Sequence, residues 1–283
     1  MSEPGGDEAA ARPRGPAYAL GSSPAELDRL RRQSAELAGH STMLLDRAGL
    51  CPGQAAADLG CGPNGILGLL ADRVGPAGRV TGLEINPVSV ALAREFAAEH
   101  GLANVKVVRG DARSTGLPSD SFDLVHARTL LINVAEPAGV VAEMVRLARP
   151  GGWVVSLEPD TAISVCYPPH PAWDRLLELS MSVHSQDDAD PFIGRRLPGI
   201  FRQAALTEIG IEATADIYPP GHPRRTVRVD LVRSMRLRIL ERGLASEREL
   251  EDLDRAAREH LDDPDTLVLP HFLFLAWGRK PLA

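Results

Sequence analysis

The sequence predicts an α/β fold, a doubly wound and mostly parallel sheet with helices on both faces. Three observations predict it. Between residues 54 and 160, short apolar runs alternate with amphipathic segments, and parallel neighbours need such helical crossovers. A glycine-rich turn, "ADLGCGPNG", directly follows the first run. Acidic residues, Glu84 and Asp111, stand at the ends of the second and third runs.

Taken in order, residues 1–16 are rich in Gly, Pro and charge and predict a disordered tail. Ser23, Pro24 and Glu26 then make a helix start, with a capping hydroxyl, a proline at the first helical position and a capping-box glutamate. That helix runs to about residue 39. A second ends near Gly49 with Met43, Leu44 and Leu45 on its apolar face, so residues 17–49 read as N-terminal cap helices. "AAADL" is a short buried strand, and residues 65–74 a helix stopped by "GPAG". "RVTGLEI" is the second strand, and residues 87–100 a helix closed by a left-handed Gly101. "VKVV" and "FDLVHA" are the third and fourth strands. Residues 138–149 are a helix ended by "PGG", and "WVVSLE" is the fifth strand, which closes a core unit at residues 50–160.

After residue 160 the rhythm changes. Residues 171–183, 196–205, 227–243 and 246–262 read as helices, while "LTEIGIEATADIY" and "TLVLPHFLFLAWG" read as strands, the latter with an awkward Pro270. Residues 161–283 thus hold the remaining core strands plus two insertions, at about 160–195 and 219–265.

Composition narrows the function. A net charge of −7 over 283 residues argues against a nucleic-acid partner. Three cysteines without a C-x-x-C pair predict neither a disulfide framework nor a metal site. The acidic, non-apolar N-terminus does not read as a signal peptide, and "HFLFLAW" is too short to span a bilayer. The expectation is a cytoplasmic protein with a small-molecule substrate and no membrane insertion, with room left for a homodimer.

Gly60, Gly62 and Gly65 fit G-x-G-x-x-G, which lets backbone approach a ligand closely. Glu84 lies 24 residues after Gly60, where a carboxylate accepts from both ribose hydroxyls. Asp111, in "RGDA", is placed to accept from an adenine amino group, with Ala112 leaving room for the ring. Asp58 decides between adenosine ligands. A carboxylate roughly 4 Å from a pyrophosphate charge repels it by about 4 kcal/mol at an effective dielectric near 20. The ammonium and sulfonium of S-adenosylmethionine are attracted instead, so Asp58 favours that cofactor over NAD.

The run from Asp58 to Gly62, then Glu84, then Gly110-Asp111-Ala112, then "FDLVHAR" and "ARPGGWVV", resembles the class I S-adenosylmethionine-dependent methyltransferases. Within them it is most similar to the small-molecule group that includes the quinone-biosynthesis enzymes. The family's usual third glycine position is held here by Asn64, a residue tolerant of positive φ, with Gly65 following. The resemblance implies a Rossmann-like, seven-stranded sheet whose last strand is antiparallel, capped by the N-terminal helices and the later insertions. It implies that Asp58, Gly60, Cys61, Gly62 and Asn64 hold the methionine end. Glu84 would hold the ribose, Ile85 would pack on adenine, and Gly110, Asp111 and Ala112 would read it. His126, Ala127 and Arg128 would face the methyl and carboxylate groups, with Tyr18 and Gln33 closing over the cofactor.

Methyl transfer from a sulfonium needs a general base only where the nucleophile must lose a proton. His184 and His126 are the candidates, with His170 a weaker one. The Arg-rich stretch from "HPRRTVRV" to "RLRILER" either lines a pocket for an anion or pairs with the acid-rich helix at 246–262, the second being the commoner use. "YPPH" and "YPP" have the wrong order and place for the Asp-Pro-Pro-Tyr signature of nucleic-acid amino-methylating enzymes. Three rival readings remain: an NAD(P)-dependent oxidoreductase, an S-adenosylmethionine-binding enzyme catalysing a cyclisation or rearrangement without methylation, and a non-catalytic cofactor-binding module.

Overall fold

A computed structural model describes residues 24–186 and 189–282. The expected tail, Tyr18 and the Ser23 cap lie outside them. Helices α1 (Pro24–Glu36) and α2 (Ala38–Ala48) lead into β1 (Ala55–Leu59), α3 (Leu67–Val74), β2 (Arg79–Glu84), α4 (Pro87–Glu99) and β3 (Val105–Arg109). There follow β4 (Phe122–Arg128), α5 (Pro137–Leu147) and β5 (Ala148–Asp160). Then come β6 (Val165–Tyr167), α6 (Pro171–Gln186), α7 (Ile193–Gln203) and β7 (Thr207–Thr214). The chain ends with α8 (Val227–Ser234), α9 (Arg236–Glu241), α10 (Glu247–Asp262), β8 (Leu267–Leu269) and β9 (Phe272–Arg279).

The main sheet has seven strands in the order β3-β2-β1-β4-β5-β9-β7. The strands β1 to β5 pair in parallel, and β9 runs antiparallel between β5 and β7. β1 is buried along its whole length because both sheet faces are covered. Ala55, Ala57 and Leu59 pack with α5 and α7, while Ala56 packs with Leu44, Leu45, Leu67 and Leu70 of α2 and α3. Each fully buried leucine contributes about 1.5–3 kcal/mol. Gly101 closes α4 at φ +63°, as the sequence predicts.

The later elements depart further from expectation. "PGG" does not interrupt the chain; α5 stops at Leu147 and β5 begins at Ala148, running through Pro150, Gly151 and Gly152. The predicted strand at 266–278 divides at Pro270, which has no N–H to donate. Its first part, β8, pairs with β6 outside the main sheet, and β9 joins the main sheet. The helix predicted at 227–243 divides at Met235 into α8 and α9. A third apolar cluster joins α6 (Trp173, Leu176, Val183), α8 and α9 (Val229, Val232, Ile239) and α10 (Leu250, Leu261). The helix α7 belongs instead to the sheet, where Ile193, Leu197 and Phe201 are fully buried. Among the described residues, no helix is long and apolar enough to cross a membrane.

Candidate active site

The turn after β1 carries its left-handed backbone on glycine. Gly60, Gly62 and Gly65 have φ of +67°, +58° and +48°. Asn64 is not in that region, so the tolerance expected of it is not used; Gly65 takes the position. A Cβ at Gly65 would collide with Asp58 Oδ2 and lie 2.6 Å from the Cys61 carbonyl, whereas one at Gly62 meets open space. The N–H groups of Gly60 and Cys61 both donate to the Leu83 carbonyl (2.7 and 3.1 Å), and that of Gly62 donates to Glu84 Oε2 (3.0 Å). Three consecutive donors that would cradle a pyrophosphate are therefore already engaged.

Parallel register sets Asp58 opposite His126 on neighbouring strands. Their side chains share a face, and His126 Nδ1 donates to Asp58 Oδ1 at 2.7 Å. Asp58 Oδ2 accepts from the Ile66 N–H at the start of α3, at 3.2 Å, where the helix dipole favours a negative charge. Asp58 thus does two jobs: it orders the turn and it lines a cavity above it. That cavity is bounded by Gln33, Ser34, Asp58, Gly60 to Gly65, Arg128 and Thr129. Burial first, then the charges of Asp58 and Glu84, push the Cys61 thiol well up, so it stays protonated.

The placement of the predicted site residues is mixed. Gln33, Asp58, Gly60, Cys61, Gly62, Asn64 and Arg128 line this cavity. His126 and Ala127 do not. His126 is 0% exposed and lines neither cavity, and Ala127, one residue on, points into the opposite core face. A strand-end position does not reveal which face a side chain takes. Glu84, Ile85, Gly110, Asp111 and Ala112 lie at the carboxyl ends of β2 and β3, outside that cavity. Glu84 Oε1 accepts from the Asn86 N–H at 2.8 Å, so a ribose would use its remaining lone pairs. Asp111 is clasped by Arg113, whose hydrogen bonds hold its carboxyl below the usual range. Ile85 and Val88 are exposed beside them, an apolar platform suited to a flat ring.

A second cavity opens on the cap side. Its lining includes Ile132, Asn133, Pro159, His184, Leu231 and Leu273, together with Arg29, Arg224, Arg228 and His271. Gln33 and Thr129 line both cavities. Thr129 has φ +49°, a strained state for a β-branched residue, which adds about 1–3 kcal/mol and concentrates at functional sites. The segment after it is pinned by Glu158, fully buried, whose carboxyl accepts from the N–H groups of Leu130, Leu131 and Ile132 (3.0, 2.9 and 3.3 Å). Burial outweighs those three bonds and raises the Glu158 pKa to about 7. His170 lies elsewhere, stacked on His260.

The sequence reading missed Ser34, Thr129, Asn133 and His271. Only Thr129 carried a usable signal, since it directly follows β4, where ligands of such sheets gather.

A methyltransferase-domain family model matches residues 52–188. A demethylmenaquinone methyltransferase of Geobacillus sp. is 30% identical over 181 residues, 60% of this chain and 77% of that one. A nocamycin O-methyltransferase of Saccharothrix syringae is 38% identical over 109 residues, 38% of this chain and 39% of that one. The share of curated relatives that the chain spans thus varies widely, and falls to 37% for a transposon protein of Streptomyces fradiae. An S-adenosylmethionine-dependent methyltransferase from Aquifex aeolicus shares the fold, with a TM-score of 0.54 and 15% identity over 92% of this chain and 99% of that one. The chain belongs to the S-adenosylmethionine-dependent methyltransferases, and the oxidoreductase reading falls away.

The loop cavity fits the methionine end of that cofactor. The Asn64 side-chain oxygen is buried there without a partner and would accept from an ammonium, with the Asp58 charge behind it. Arg128, held by Ser34, Ser41 and Gly65, would answer a carboxylate. When bound there, the cofactor would supply an activated methyl group, and these residues would hold and orient its methionine end.

Proposed function

We propose that the chain transfers a methyl group to a small, lipophilic or polycyclic metabolite held in the cap cavity. The observation that carries this is the shared wall: Gln33 and Thr129 face both the loop cavity and the cap cavity. A methyl donor in one and an acceptor in the other would meet at that wall, as an in-line displacement requires. The apolar lining of Ile132, Pro159, Val227, Leu231 and Leu273 suits a ring system. The relative that acts on demethylmenaquinone supports a lipophilic acceptor by analogy.

Of the candidate bases, we assign the proton from the acceptor to His184, because it lines the cap cavity. His126 is sealed below the turn. His271 is held neutral, chiefly by burial and then by the Arg224 and Arg228 charges, and its Nε2 must accept from Arg224 Nη2 at 3.1 Å, an arginine being only a donor.

The test uses S-adenosylmethionine labelled in its methyl group, with a panel of naphthoquinols and polycyclic phenols. Label should move to an organic-extractable product. Acceptor consumption that continues with S-adenosylhomocysteine, and without label transfer, would instead support cyclisation or rearrangement.

A further inference from the structure

The arginines of "HPRRTVRV" have different fates in the fold. Arg225 is buried, yet every nitrogen of its guanidinium has a backbone carbonyl partner: Leu261 at 2.8 Å, Tyr218 at 2.9 Å, Thr266 at 2.7 Å and Asp263 at 3.2 Å. It clamps the C-terminal end of α10 to the segment that follows it. Arg228, one turn on, is equally buried at 3% exposure but is not saturated. It donates to the carbonyls of Thr161 and Pro270, both at 3.0 Å, and weakly to Ser180 Oγ at 3.4 Å. Its Nε has no partner, and no carboxylate meets it among the described residues. Burial alone pulls its pKa down to about 10. The ring of Trp173 lies 5.0 Å away.

Arg224 is buried beside the same cavity. Its Nε carries no hydrogen bond and lies 3.5 Å from Glu36, and its Nη2 is taken by His271. Among the described residues of the cavity wall, Arg224 and Arg228 bring guanidiniums and no acid is present; Arg224 has Glu36 behind it, whereas Arg228 has no carboxylate partner among them. A buried cation without a counter-charge is unfavourable, and a ligand anion removes that penalty.

Resting on the methyltransferase reading above, we infer that the methyl acceptor carries a carboxylate, held by Arg228 and Arg224 while its methylated atom faces Thr129. A carboxylate is the matching anion because two N–H groups, one Nε on each arginine, remain to be satisfied, and a carboxylate offers two oxygens.

Paired probes test this on the whole protein: 2-naphthoate and the near-isosteric, neutral 2-naphthamide, titrated by calorimetry in the presence of S-adenosylhomocysteine. The naphthoate should bind at least about tenfold tighter, the effect of one charge-assisted pair. Arg228→Gln should bring the ratio towards one while S-adenosylhomocysteine affinity stays within about twofold, and Arg228→Lys should keep part of the preference. If Arg228→Gln does not fold, Arg224→Gln and the wild-type ratio carry the test. Equal binding of both probes, no binding of either at millimolar concentration, or a preference that survives both glutamine variants overturns the inference. A 2-naphthyl phosphate that binds tighter than the naphthoate overturns the carboxylate assignment. Loss of S-adenosylhomocysteine binding in the wild type strikes the methyltransferase reading instead and leaves the naphthoate ratio readable.

Discussion

The two halves of this enzyme handle charge in opposite ways. In the core, residues 50–160, buried acids find hydrogen-bond partners locally: Asp58 in His126 and the start of α3, and Glu158 in three consecutive N–H groups. In the cap, Arg224 and Arg228 are buried with donors left over. Cap arginines on the outer face find partners, Arg233 with Asp254 at 2.9 Å and Arg236 with Glu247 of α10. The difference teaches that the loop cavity is ordered largely by its own hydrogen bonds, whereas the cap cavity keeps arginine donors for a ligand to meet.

The strongest challenge to this contrast is Gly65→Ala. Its methyl group has no room beside Asp58 and Cys61, and its φ is left-handed. S-adenosylhomocysteine affinity, measured by calorimetry, should fall by roughly 100-fold or about 3 kcal/mol. A normal affinity would mean that the turn is not a rigid cradle.

Glu84→Ala comes next. It strands the Gly62 and Asn86 N–H groups and removes the expected ribose acceptor. A loss of about 1–3 kcal/mol in the same titration is expected, and an unchanged value would place the ribose elsewhere.

A comparable effect, on stability, belongs to Glu158. Its carboxyl titrates at about 7 in the fold against 4.5 ordinarily. Between those values the folded chain binds a proton that the unfolded chain has released, so stability falls as pH rises from about 4.5 to 7, by up to about 3 kcal/mol. Denaturant unfolding of Glu158→Gln across this window should lack that decline. An identical slope in both proteins would show that the carboxyl is ionised in the fold throughout. Smallest is Arg233→Gln, whose side chain is 61% exposed in its ion pair. Its unfolding free energy should change by less than about 0.5 kcal/mol, and a larger loss would mean the outer face also carries cap stability.

The same division governs what could be read from sequence. "AAADL" became β1 with its expected bounds because a run of small and apolar residues before a glycine turn fits little else. The glycines and Asp58 were legible for the same local reason. His126 was misplaced because only the register with β1 tells that it faces Asp58 rather than a ligand. The three-residue strands β6 and β8 are too short to leave a pattern. Arg224, Arg225 and Arg228 share one stretch of sequence, and tertiary partners alone separate the clamp from the two that line the cavity.

The central claim is that donor and acceptor cavities form one site joined at Gln33 and Thr129. A crystal structure of the S-adenosylhomocysteine complex tests it most directly. The account predicts the homocysteine carboxylate at Arg128, its ammonium at Asn64, and the sulfur beside Thr129, turned toward the cap. A sulfur directed away from Thr129, or a bound product that remains screened from the Arg228 cavity, would contradict it.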